Sequence, residues 1–137
     1  MTKLYLAGPM TGIPQFNYPA FIEAAEDLRA KGYDIVSPAE LDDPETRKAA
    51  MAAPDGAVGT GSANGETWGD FLARDVKIVA DEVDGIVFLP GWAFSRGARL
   101  EAFVAVLANK TNFYNYSHGH LRPTSTERVK EVLTEML

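Results

Sequence analysis

The chain contains no cysteine. That excludes disulfide bridges, thiolate zinc sites and cysteine nucleophiles together. It also has no apolar run near the roughly 20 residues that a membrane-spanning helix needs. MTKLYLAG leads straight into strand-like sequence without a secretory pattern, so a cytoplasmic protein with no membrane partner is expected. Basic residues are the minority, 13 Lys and Arg against 19 Asp and Glu, for a net charge of −6. They are scattered, and the basic face that a nucleic-acid polymer demands is missing. The two histidines stand together in His118-Gly119-His120 with no carboxylate at ligand spacing. That pair reads as a loop, and neither metal nor cofactor is expected. A small anionic ligand held by backbone amides remains compatible with the acidic balance.

What is present suffices for one folded domain over residues 1–137. Hydrophobic residues make up 46% and aromatics 10%, enough for a core and against global disorder. Strands are expected at KLYLA (3–7), YDIVSP (33–38), GIVFLP (85–90) and TNFYNY (111–116). The first helix starts at Pro19, repeats Phe21, Ile22, Ala25 and Leu28, and stops at Gly32. Thr67 and Asp70 form a capping-box-like pair before the stripe Leu72, Val76, Val79 and Val83. A helix from about Ser95 to Asn109 is expected to bury Leu100, Phe103, Val104 and Leu107. Thr124 or Ser125 caps a last helix with the stripe Val129, Val132, Leu133 and Met136. This alternation predicts an α/β fold: a doubly wound, Rossmann- or flavodoxin-like sheet of about five mostly parallel strands flanked by helices. A flexible Gly/Ala-rich insertion, with a short helix near 44–52, interrupts the pattern at about 39–66.

Ligands of such sheets bind beyond the carboxyl ends of the strands. Two glycine-bearing turns lie there: Gly8, Pro9, Met10, Thr11 and Gly12 after the first strand, and the segment with Ser95, Arg96, Gly97 and Arg99 after GIVFLP. Neither is a phosphate-binding P-loop or a dinucleotide fingerprint. Glu101 follows the second turn, and its helical neighbours Gly97, Ala98, Val104 and Ala105 offer it no basic partner. The expected stripe puts Glu101 on its flank, so truncating it should cost little stability. Asp75 precedes Val76 and sits beside Arg74, where a surface ion pair is the plain alternative to a functional role.

LYLAGPMTG, the later Arg74-Asp75 pair and the S-x-G-x-x-x-E of Ser95, Gly97 and Glu101 resemble, in order and over nearly the whole chain, the nucleoside 2-deoxyribosyltransferase superfamily. The likeness is greatest to its small phage and bacterial members. It implies that Glu101 attacks the anomeric carbon of a deoxyribonucleoside and that a second base or water resolves the glycosyl-enzyme. It implies that Asp75 supplies a proton or hydrogen bond to the leaving base and that Tyr5 positions the nucleophile. On that reading Glu101 lacks a basic partner because a paired carboxylate is a poorer nucleophile. Ser95 is similar to the serine of the branch that hydrolyses deoxynucleoside 5′-monophosphates, where transferases on free nucleosides carry an aspartate.

Two other readings stand beside this one: a non-catalytic nucleotide-binding or regulatory protein, and a lysine-decarboxylase-like phosphoribohydrolase. The latter's glycine pair and threonine are not matched at Trp92 and Ala93. The resemblance further implies a homodimer or higher even-numbered oligomer, with part of 113–123 reaching a neighbour's pocket. The final helix is expected to offer an apolar stripe to that assembly.

Overall fold

KLYLA forms strand β1 (Lys3–Ala7), four of whose five residues are buried. A strand covered on both faces needs this near-continuous apolar run. The computed structural model describes residues 2–56 and 65–136. Over them follow α1 (Tyr18–Ala30), β2 (Asp34–Val36), α2 (Pro38–Leu41), α3 (Pro44–Ala52), α4 (Trp68–Asp81), β3 (Gly85–Phe88), α5 (Arg96–Leu107), β4 (Asn112–Ser117), β5 (His120–Thr124) and α6 (Thr126–Glu135). The five strands make one sheet in the order β2-β1-β3-β4-β5. All neighbours pair parallel except β4 and β5, which form an antiparallel hairpin. This is a Rossmann-like α/β fold.

Alternation along the strands divides the core in two. Leu4, Leu6, Ile35 and Val87 meet Phe21, Ala24, Ala25 and Leu28 of α1. Tyr5, Ala7, Ile86, Phe88 and Phe113 meet Val79 of α4, Ala98, Ala102 and Ala105 of α5, and Val129 of α6. Helices therefore cover both faces. The capping box at Thr67 and Asp70 is complete, with Asp70 N–H donating to Thr67 Oγ1 (3.1 Å) and Thr67 N–H to Asp70 Oδ2 (2.8 Å). No helix among the described residues is long and apolar enough to cross a membrane.

Several expectations need correction. On α1, Ala24 is buried while Ile22 is 39% exposed. On α5 the phase is wrong: the buried residues are Ala98, Glu101, Ala102 and Ala105, while Leu100, Phe103 and Leu107 lie outside. The sheet supplies the bulk here, with Phe88 stacked between Trp92 (4.1 Å) and Phe113 (6.1 Å). The facing helix surface must then be small-sided. In the supposed insertion at 39–66 the helix expected near 44–52 is present as Pro44–Ala52, and the unforeseen α2 (Pro38–Leu41) runs into its start. The insertion's glycines Gly59 and Gly61 lie outside the described residues.

The HGH segment is the hairpin turn itself, with His118 (φ 51°) and Gly119 (φ 78°) both left-handed, as a tight primed turn requires. β5 was not foreseen because Pro123 weakens the strand signal, but an edge strand tolerates it. The α6 stripe is not left open: Val129 is 1% exposed and Leu133 packs on the same core.

Candidate active site

The two glycine-bearing turns meet beyond the carboxyl ends of the adjacent strands β1 and β3. Their approach is close, since a Cβ on Gly8 would stand 2.9 Å from Leu89 Cβ. Between them lies a cavity of about 390 Å³. Gly8, Pro9, Met10 and Thr11 line one side, and Ser95, Arg96 and Gly97 another. A Cβ at Gly97 would meet only ordinary contacts, 3.9 Å to Leu72 Cδ1 and 4.0 Å to Ser95 Oγ. Glycine here leaves the cavity room rather than relieving a clash within the chain.

Two expected members lie elsewhere. Gly12 does not line the cavity, and its N–H donates to the Gly56 carbonyl (2.7 Å). Arg99 donates to the Ala93 carbonyl (3.0 Å) and faces a separate groove with Leu100 and Phe103. Arg99 stands two positions from both Gly97 and Glu101, and residues so spaced on a helix do not share a face, which motif spacing alone did not weigh.

The floor is acidic and buried. Tyr5, fully buried on β1, donates its hydroxyl to Glu101 Oε2 at 2.5 Å, and the Asp75 charge bears on the same phenol. Glu101 is 6% and Asp75 8% exposed. Asp75 thus continues the buried stripe with Val79 and is no surface ion pair, although Arg74 Nε does donate to its Oδ1 (2.9 Å). Burial and then the Asp75 charge push the Glu101 carboxyl up to about 8, against the Tyr5 hydrogen bond and Arg74. Burial likewise raises Asp75, with Arg74 and Tyr5 opposing. Burial, Glu101 and Asp75 hold the Tyr5 phenol well above its ordinary value. A proton is therefore retained among these three groups near neutral pH.

The structure adds residues that motif spacing did not suggest. Asp42, just past α2, accepts from Arg74 Nη1 (2.6 Å) and from the Tyr18 hydroxyl. Phe16 joins the wall from a left-handed turn in which Gln15, Phe16 and Asn17 all have φ between 51° and 60°. Three such non-glycine residues cost about 1 kcal/mol or more each. Hydrogen bonds hold the turn: Gln15 N–H to the Ala53 carbonyl (2.9 Å) and Asn17 Nδ2 to the Pro9 carbonyl (2.9 Å). At the rim, Arg74 lies over Phe71 (5.5 Å) and Arg96 over Trp68 (5.4 Å). The run PQFN carried no signal of a left-handed turn. Only the excess of acids over bases hinted that a lone Arg74 would serve two of them.

Ser95 caps α5, its Oγ accepting from Ala98 N–H (3.2 Å), which leaves its hydroxyl proton free to donate. Among the described residues no group of three or more His, Asp or Glu is arranged to hold a metal ion. The arrangement suits chemistry in which one buried carboxylate gives up its proton as its neighbour takes one.

Fold and pocket together define an α/β protein with a carboxylate-floored cavity at its strand ends. The family described as "Domain of unknown function (DUF4406)" matches residues 2–113, and the chain belongs to it. The match takes in Tyr5, Asp75 and Glu101 and ends within β4. No curated protein and no solved structure matches the chain.

Proposed function

We propose that the pocket cleaves or transfers the N-glycosidic bond of a (deoxy)nucleoside or its 5′-monophosphate through a covalent glycosyl–Glu101 intermediate. The carrying observation is the pair of buried carboxylates on the cavity floor, Glu101 held by the Tyr5 hydroxyl and Asp75 held by Arg74. Burying two acids against each other is costly and serves binding alone poorly, whereas it suits acid–base work. The aromatic walls suit a planar base, and Ser95 with Arg96 at the start of α5 suits a 5′-phosphate. The strand order fits a doubly wound, flavodoxin-like arrangement with its crevice between β1 and β3. The sequence resemblance to nucleoside 2-deoxyribosyltransferases points the same way.

In this reading a Glu101 oxygen attacks C1′ as the C1′–N bond breaks, and the bonding pair leaves with the base. Asp75 gives that base its proton. Glu101 must then be ionised and Asp75 protonated, so that Asp75 holds the proton these neighbouring acids share when the base leaves. Water or a second base next attacks C1′, frees Glu101 and returns a proton to Asp75.

Release of free base from a panel of nucleosides and 5′-monophosphates, followed by chromatography, tests this. Glu101→Ala should lower turnover by more than about a thousandfold. Wild-type-like turnover in that variant sinks the nucleophile. If the wild-type chain releases no base yet binds members of the panel, the non-catalytic nucleotide-binding reading replaces this one.

We further infer a homodimer or higher even-numbered oligomer acting in the cytoplasm, with part of 113–123 near a neighbour's pocket. Support comes from the uncovered Leu100, Phe103 and Leu107 of α5 and from the exposed edge strand β5. Because Val129 is a core residue, removing α6 would unfold the chain, and light scattering on the full chain is the measurement.

A further inference from the structure

The strongest unassigned feature is the far end of the acidic network. One guanidinium, that of Arg74, serves two buried carboxylates from different parts of the chain. Its Nη1 donates to Asp42 Oδ1 at 2.6 Å and its Nε to Asp75 Oδ1 at 2.9 Å. Asp42 is 9% exposed, and its other oxygen accepts from the Tyr18 hydroxyl of α1. Tyr18 is itself 3% exposed and sits next to the left-handed turn.

We propose that Asp42 is a positioning residue that sets the protonation state of Asp75: by taking the shorter arm of Arg74, it keeps that guanidinium from holding Asp75 permanently ionised. This rests on the reading of Asp75 as proton donor to the leaving base, but the control of Asp75 by Asp42 can be measured without it.

The physical case is one of shared charge. A buried arginine paired with a single carboxylate fixes it as an anion. Here the cation is divided. Asp42 receives two strong donors, Arg74 and Tyr18, one on each oxygen, and so is the better satisfied anion. Asp75 receives Nε of Arg74, while the Tyr5 hydroxyl near it is donated to Glu101, whose charge also bears on this cluster. Three buried acids around one guanidinium cannot all be ionised cheaply. Asp42, with a donor on each oxygen, competes less for the shared proton, and on this proposal that proton stays among Asp75, Tyr5 and Glu101.

Burial raises all three carboxyls, and Arg74 opposes the rise in each. The groups bearing on this balance are Tyr5 from β1, Tyr18 from α1, Asp42 with Asp43 and Glu66 nearby, Arg74 beside Asp75 on α4, and Glu101 from α5.

Asp42→Asn removes the charge while keeping an oxygen for Arg74 or Tyr18. The Arg74 charge is then no longer shared with a carboxylate at position 42 and bears on Asp75. Titration of the full chain with 13C-labelled carboxyls, free of substrate, should show the Asp75 midpoint lowered by at least about one pH unit. Tyr18→Phe, which withdraws one donor from Asp42, should move it the same way by less. In turnover, Asp42→Asn should cost about tenfold or more on nucleosides whose base needs a proton to leave. On an N7-methylated purine deoxynucleoside, whose base departs without one, the loss should stay within about twofold.

An Asp75 midpoint unmoved in both variants overturns the proposal, whatever the chain catalyses. Equal rate losses on both substrates overturn it too, since they would mark Asp42 as scaffolding only. If the midpoint moves in a chain that releases no base, the control of Asp75 by Asp42 stands and the reaction assigned to the pocket falls.

Discussion

The two faces of α5 are built to opposite rules. Inward it presents Ala98, Glu101, Ala102 and Ala105, none more than 6% exposed. Outward it presents Leu100, Phe103 and Leu107, at 39%, 50% and 66%. An amphipathic surface helix ordinarily does the reverse. The inward face is small because Tyr5, Phe88 and Phe113 fill the space from the sheet side, and closeness is what lets Glu101 meet the Tyr5 hydroxyl at 2.5 Å. Leu100 and Phe103 of that outward face join Val106 and Leu133 in a groove of about 560 Å³ rimmed by Arg96, Arg99 and Lys130. On this helix burial accompanies the acid, and hydrophobicity accompanies the surface.

The largest test of that contrast is the pH dependence of stability. The Glu101 carboxyl is pushed from an ordinary 4.5 to about 8 in the folded chain, chiefly by burial. Between those values the folded state holds a proton that the unfolded state has released. Stability from this group is therefore fully present below pH 4.5, is lost as pH rises towards 8, and is gone above it. Glu101→Gln cannot titrate, so its stability should gain on the wild type by a few kcal/mol across that window, at about 1.4 kcal/mol per pH unit. Urea denaturation of both chains at several pH values measures the gap. Parallel profiles would mean Glu101 is not held in a low-dielectric site, and the inward face would lose its distinction.

Next in size is the effect of volume. Ala102 is fully buried against the aromatic sheet face. Ala102→Leu adds bulk where the sheet already supplies it, and should cost about 1–3 kcal/mol. It should also lift α5 away from Tyr5, lowering the Glu101 titration midpoint as water enters. A tolerated leucine would show the helix to be less closely seated than its alanines indicate.

How much of this was readable beforehand follows from the same contrast. The strands β1, β3 and β4 and the capping box of α4 were legible, because propensity, caps and apolar runs agree there. Glu101 and Asp75 stood out by type and position and Tyr5 through the resemblance, and all three line one cavity. The phase of α5 was not legible. Hydrophobicity favours Leu100, Phe103 and Leu107, and only the volume contributed by strands distant in sequence reverses the choice. Asp42 and Tyr18 were illegible for a related reason: their meaning lies in a guanidinium more than thirty residues away. Arg99 was misjudged because a motif groups residues by spacing, while a helix distributes them around its axis.

The smallest expected effect belongs to the outward face. Leu107 is 66% exposed, the most open of the large apolar residues on α5. Leu107→Ser gives up little burial within the chain, so stability should change by no more than about 0.5 kcal/mol in dilute solution. The change should instead appear in assembly. If a second copy covers Leu100, Phe103 and Leu107, the variant should dissociate at higher protein concentration than the wild type, while the pH profile governed by Glu101 stays unaltered. Light scattering over a dilution series, beside denaturation at its dilute end, reads both quantities from one preparation. A loss well above 1 kcal/mol at every concentration would place Leu107 in the core of its own chain, and the two faces of α5 would no longer differ in kind.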